Sequence, residues 1–169
     1  CKCPDDHDKC NPRYLNVYGS IPQTIGPYGT PNDAVLLNQV NAMSVGDFDI
    51  SNAPLIGAVK ILKHGIYHLQ WELQGRISPP VPTPVPSWSF GFWLNGVLVP
   101  GSLYSGFTQA PGDDACHSTG DVIVEVKAGE ILMLRNTSIS IVLLNPNVTG
   151  SVFPITIASV TAVCLKELP

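Results

Sequence analysis

Along most of this chain apolar and polar side chains change places every second residue, the period of an extended strand with one buried face. Tyr67, Leu69, Trp71 and Leu73 alternate with His68, Gln70, Glu72 and Gln74. Trp88, Phe90, Phe92 and Leu94 alternate with Ser89, Gly91, Trp93 and Asn95. Asn95-Gly96 then supplies the residue pair that favours a tight hairpin into Val97-Leu98-Val99. Residues 121–126 and 130–134 read as two further strands joined through Lys127-Ala128-Gly129, and 14–18, 35–37, 56–62, 139–144 and 155–165 complete the series. Residues 32–41 have the length for a turn or two of helix but are rich in Asn. Strands without intervening helices pair antiparallel. The pattern therefore predicts an all-β antiparallel sandwich or barrel of about ten strands over residues 34–169. Residues 1–33 are expected to form an extended, Cys-rich and Pro/Gly-rich arm and connector.

Two segments break the rhythm. Residues 78–87 hold five prolines in ten positions and are expected to form a stiff, polyproline-like loop. Residues 101–120, rich in Gly, Ser and Asp, are expected to form a long loop carrying Cys116. Composition adds a further constraint. The 169 residues are 44% hydrophobic but only 13% charged, where about a quarter is usual. So few charges leave much neutral surface, which copies of the chain or a partner would cover. A net charge of −4 offers no patch to neutralise a row of phosphates, so nucleic acid is not an expected partner. No apolar run approaches the length of a membrane span, and no signal-peptide core is present.

Three of the five cysteines, Cys1, Cys3 and Cys10, fall within the first ten residues, while Cys116 and Cys164 lie in the body. Three thiols cannot all pair with one another. At least one therefore stays free, pairs back to the body, binds a metal in a set of Cys1, Cys3, His7 and Cys10, or cross-links to another molecule. The C-x-C-x6-C spacing matches no structural zinc pattern, and oxidative pairing suits a surface outside the cell. Cys116, expected in a loop, is the more accessible body partner than Cys164 on a strand. His64 and His68 on one strand would stand about 13 Å apart, too far to share a metal. Asp113, Asp114, Cys116 and His117 cluster along the chain without forming a catalytic dyad, and the plainer reading of the two acids is a solvated loop tip. Asn136-Thr137-Ser138 and Asn147-Val148-Thr149 match glycosylation triplets, which also arise by chance. No motif of an enzyme or a cofactor site is present, so neither catalysis nor a cofactor is expected.

In order, the apolar strand, glycine and Tyr-led strand of residues 60–71, the Phe92-Trp93-Leu94-Asn95-Gly96-Val97 turn, and the strand–Ala-Gly-Glu–strand of residues 120–134 resemble the tumour necrosis factor and complement globular-head superfamily. Residues 158–168 resemble its last core strand. Among its members the chain is most similar to the C-terminal domains of collagen-like glycoproteins of the bacterial spore exosporium and to spore-appendage subunits. The resemblance implies a ten-stranded jelly roll that trimerises through one apolar face, with Tyr67, Trp71, Trp88, Phe90, Phe92 and Trp93 as core or trimer-contact aromatics. No Gly-X-Y repeat is present, and the Cys-rich arm stands in its place. The expected function is a homotrimeric structural subunit of a cell or spore surface, linked into a larger polymer by arm disulfides. The alternative is a receptor- or glycan-binding head of a surface or phage fibre.

Overall fold

The structure, a computed structural model, describes residues 13–77, 87–107, 116–144 and 156–169; of Arg76, Phe107 and Cys116 it describes the backbone alone. In chain order the elements are β1 (Tyr14–Gly19), β2 (Gln23–Ile25), β3 (Gln39–Met43), β4 (Phe48–Asp49), α1 (Ala53–Ile56), β5 (Ala58–Ile61) and β6 (Gly65–Ile77). They continue with β7 (Ser87–Leu94), β8 (Val97–Leu98), β9 (Tyr104–Phe107), β10 (Cys116–Val126), β11 (Ile131–Asn136), β12 (Val142–Leu144) and β13 (Ala158–Glu167). All pairings are antiparallel, and the strands form two sheets. The larger runs β2-β12-β6-β13-β1-β3 with β10 on β6, and the smaller runs β4-β5-β11-β7-β8 with β9 on β7.

Between the sheets lies one aromatic core. Tyr67, Leu69, Trp71 and Leu73 of β6 face Trp88, Phe90 and Phe92 of β7, all fully buried together with Leu132, Leu134, Val160 and Ala162. The rings meet edge-on or tilted, Trp88 on Phe90 at 5.7 Å and Trp71 on Phe90 at 6.3 Å between centroids, the geometry aromatic quadrupoles favour. Two glycines make room for these rings: a side chain at Gly106 would strike Trp88, and one at Gly120 would strike Trp71 and Tyr104. The β7–β8 turn places both Asn95 (φ 48°) and Gly96 (φ 80°) in the left-handed region, the conformation of the two-residue hairpin that Asn-Gly predicts.

Several expectations are corrected. Residues 35–37 form no strand: Val35 and Leu37 are buried, but their N–H groups bond singly to Leu134 and Ala53. No helix forms over residues 32–41, where β3 begins. Residues 56–62 divide into the end of α1, a left-handed Gly57 (φ 71°) and β5. Residues 101–120 are not one loop, since β9 and the first half of β10 lie within them. Cys116 is accordingly a strand residue opposite Gly75, not a loop thiol. Within residues 1–33 the expected strand at 14–18 forms as β1, and β2 is an additional strand that the expected connector does not include.

Buried polar groups are satisfied where they join loops. The Asn136 side chain donates to Gly26 and Ser140 carbonyls at 2.9 and 2.7 Å and accepts from the Ser138 N–H and hydroxyl. That commitment removes Asn136 as a glycan acceptor; Asn147 lies outside the described residues. Asp33, 2% exposed, accepts from Arg135 Nε and Nη2 at 2.8 and 2.7 Å and from the Gly29 N–H at 2.8 Å.

Gly120→Ala is expected to cost about 1–3 kcal/mol through overpacking, read as a lower denaturant midpoint, while exposed Thr119→Ala stays within about 0.5 kcal/mol. Asp33→Ala, which strands the Arg135 guanidinium, is expected to cost about 2 kcal/mol in the same measurement.

Candidate assembly surface

Because alternate residues of β6 point into the core, the intervening ones form the outward face of the larger sheet. The register sets them in rows. Ile123, His68, Val163 and Tyr14 share one row, and Asp121, Gln70, Thr161, Asn16 and Ala42 the next. Thr119, Glu72, Ser159, Tyr18 and Gln39 form a third. Strands β1 and β3 contain no charged residue, and β13 none before Lys166. Ile123 is 62% exposed and Tyr14 40%. Asn16 Nδ2 donates to Thr161 Oγ1 at 2.8 Å, so the polar groups here are partly satisfied within the face. A broad sheet surface of Tyr, Val, Thr, Ser and Asn without charge can be buried against a protein without desolvating ions.

Charge is confined to the β6–β10 border and the ends of the strands. His64 Nε2 stands 2.9 Å from Glu125, His68 Nε2 3.2 Å from Asp121, and His117 Nε2 3.1 Å from Glu72. His64 Nδ1 also lies 2.8 Å from the Pro169 carbonyl oxygen. The contact with Glu125, then that with Pro169, raises the His64 pKa above the usual imidazole value. Beyond β6, Arg13 joins Glu167 at 2.7 Å and approaches Asp47 at 3.8 Å. Burial, then the neighbouring Cys164, pushes the Tyr67 phenol up to about 12, and its hydroxyl donates to the Lys63 carbonyl at 2.9 Å.

The predicted site residues separate. Tyr67, Trp71, Trp88, Phe90 and Phe92 all lie inside the sandwich and none reaches the outward face. Trp93 points the other way, onto the outer side of the smaller sheet, where Tyr28 stacks on it at 5.4 Å and Arg135 lies 4.9 Å from its ring centre. Cys1, Cys3 and Cys10, the metal set they formed with His7, and the Asp113–Asp114 pair lie outside the described residues. Cys164, half-buried, forms no disulfide with a described residue. It sits opposite Tyr67 while Cys116 sits opposite Gly75. Eight residues along β6 separate those points by about 26 Å, so the two body cysteines cannot bond to each other within one chain.

Among the described residues no group of three His, Cys, Asp or Glu side chains can hold a metal ion, and no helix is long and apolar enough to cross a membrane. A cleft of about 300 Å³ between β2 and α1, rimmed by Ile21, Leu55 and Ile56, is lined by no ionisable side chain. The three histidine–carboxylate contacts escape sequence reasoning because they depend on the register of β6 against β10, which periodicity does not supply.

By sequence the chain matches no family model and no curated protein. Its fold is nevertheless shared with solved structures. The globular domain of zebrafish complement 1qA aligns at a TM-score of 0.54 and 8% identity, covering 92% of this chain and 99% of that one. Murine APRIL aligns at 0.52 and 12%, covering 91% and 99%. The Eiger TNF of S. frugiperda aligns at 0.58 and 15%, covering 94% and 95%. The chain has the antiparallel jelly-roll fold of the C1q and TNF globular heads.

Proposed function

We propose that this protein is a structural self-assembly subunit of an extracellular, cell or spore surface. Copies associate as a homotrimer through the outward face of the larger sheet, and the Cys-rich arm links one assembly to the next by disulfides. The observation that carries the reading is the charge-free expanse of β13, β1 and β3, bordered by exposed Ile123 and Tyr14, on a head whose own core is already filled. Neutral polar and aromatic side chains are what an interface core retains, because charges there must be desolvated. The arm supplies an odd number of thiols, so at least one must look beyond the arm for a partner or stay free. An arm that docks on a neighbour in a contact that does not close propagates a fibre.

One observation favours the second reading, a glycan- or receptor-binding head. Tyr28, 53% exposed, is held over Trp93 on the outer side of the smaller sheet, an aromatic platform on which an apolar sugar face can stack. Binding there would leave the larger sheet free for assembly, and a glycan array probed with wild type and Tyr28→Ala tests it.

Sedimentation of the reduced protein is expected to show three times the 18.1 kDa chain mass, and Val163→Glu together with Tyr14→Glu is expected to give monomer with an unchanged circular dichroism spectrum. A wild type that stays at 18.1 kDa at micromolar concentration sinks the trimer. Without reductant, electrophoresis is expected to show a ladder of covalent multimers that deletion of residues 1–12 abolishes while leaving the trimer intact. A ladder that survives the deletion places the cross-link elsewhere.

A further inference from the structure

Every histidine among the described residues contacts a carboxylate across one strand pair. The contacts recur every four residues, at positions 64, 68 and 72 on the β6 side and 125, 121 and 117 on the β10 side. Each is a diagonal, offset by two residues from the direct register, in which His68 faces Ile123 and Glu72 faces Thr119. Diagonal neighbours on one sheet face lie within reach of long side chains. The result is a ladder of three matched pairs along one border of the proposed assembly face.

Other groups around the ladder do little to offset its charge. Among the described side chains no Lys or Arg lies within ion-pair distance of Glu72, Asp121 or Glu125. Lys127 follows β10 and opposes protonation of His64. On β13, Lys166 stands opposite Ile66, and Glu167 is taken by Arg13. The 156–158 segment beside His117 and Glu72 brings no ionisable side chain. From β9, Tyr104 directs its hydroxyl to the Asp121 backbone carbonyl. With neutral imidazoles the border presents three carboxylates that no described Lys or Arg side chain pairs, although Lys127 stands near enough to act on His64; Arg76, four residues after Glu72 on β6, has its side chain outside the described residues. With protonated imidazoles the border presents three matched ion pairs.

We propose that this ladder gates self-assembly by pH, with protonation of His64, His68 and His117 tightening the association of copies of the chain. The inference rests on the assembly reading above. Bringing copies together withdraws the border from water and sets like charges near one another, both unfavourable for bare carboxylates and cheaper for neutralised pairs. Association therefore takes up protons. The sign follows from linkage: burying each pair between copies favours its protonated imidazole beyond the free chain, where Glu125 and the Pro169 carbonyl already raise the proton affinity of His64. Association is therefore strongest at low pH and its gain fades as pH rises through the value reached in the assembly.

The test is sedimentation equilibrium of the reduced full chain at pH 5.5 and 7.5. Wild type is expected to associate about tenfold more tightly at pH 5.5. The triple variant His64→Gln, His68→Gln, His117→Gln, which keeps His7, is expected to lose that difference. The variant Glu72→Gln, Asp121→Asn, Glu125→Gln is expected to reverse it, since its imidazoles now charge without partners. An NMR titration of the imidazole protons reports each pair separately, and His64 is expected to titrate at lower pH in Glu125→Gln. A trimer equally tight at both pH values, or a pH dependence that persists without the three histidines, overturns the gate and leaves the assembly reading standing. A chain that is monomeric at both pH values overturns both.

Discussion

The thirteen-residue strand β6 is the constraint on which the rest of the structure depends. It pairs with β10 along residues 65–75, with β13 along 65–73 and with β12 at 76–77, so both of its edges are occupied for most of its length. Its inward residues, Tyr67, Leu69, Trp71 and Leu73, are each fully buried, and each contributes about 2 kcal/mol by leaving water. A slip of one residue would turn His68, Gln70 and Glu72 into the core and Trp71 out to solvent. Core and outward face are therefore two sides of a single register. Whatever fixes the aromatic interior also fixes where His68 and Glu72 stand.

From this register follows the division of labour between the two outer surfaces. On the smaller sheet the one large aromatic that points outward, Trp93, is covered by Tyr28 and by an arginine that Asp33 holds in place. There the chain covers its own outward tryptophan, while Tyr28 itself and Ile131 stay exposed. On the larger sheet no loop among the described residues performs the same office for Ile123 and Tyr14, which stay exposed at 62% and 40%. A sheet face left open and free of charge over β13 up to Leu165, β1 and β3 invites another protein more than it resists one. The few ionisable groups at its border then have a disproportionate influence on whether a second copy approaches.

How much of this was legible in the sequence depended on length and on side-chain size. The long strands β6, β7 and β13 and the Asn95-Gly96 turn could be read because alternation over six or more residues has few other causes. Strands β2, β4 and β8 are two or three residues long and carry no period to detect. Strand β3 reads Gln-Val-Asn-Ala-Met and, as an edge, needs no apolar face. The first half of β10 looked like loop because its inward positions are Ser118 and Gly120. They are small for a reason that lies elsewhere in the chain: the rings of Trp71 and Tyr104 fill the space beside Gly120. The His–carboxylate ladder was beyond reach for a related reason, since it joins residues up to 61 apart through a register that only the folded sheet defines.

The same geometry bears on the arm. The Arg13 carbonyl accepts the Cys164 N–H at 2.9 Å, and Arg13 is tied to Glu167, so the chain enters the sheet beside Cys164. Cys116 lies at the far end of β6, about 26 Å along the strand. Cys10 stands three residues before Arg13, a covalent reach of about 10 Å. Within its own chain Cys10 therefore has access to Cys164 and to the other arm cysteines but never to Cys116. Cys1 and Cys3, twelve and ten residues before Arg13, have reaches of about 40 and 33 Å and are under no such restriction. The ground for preferring Cys116, its place in an open loop, is gone, because it heads a paired strand. If Cys10 takes Cys164 inside the chain, Cys1, Cys3 and Cys116 are left as the odd set, and a link between molecules must draw on one of these three.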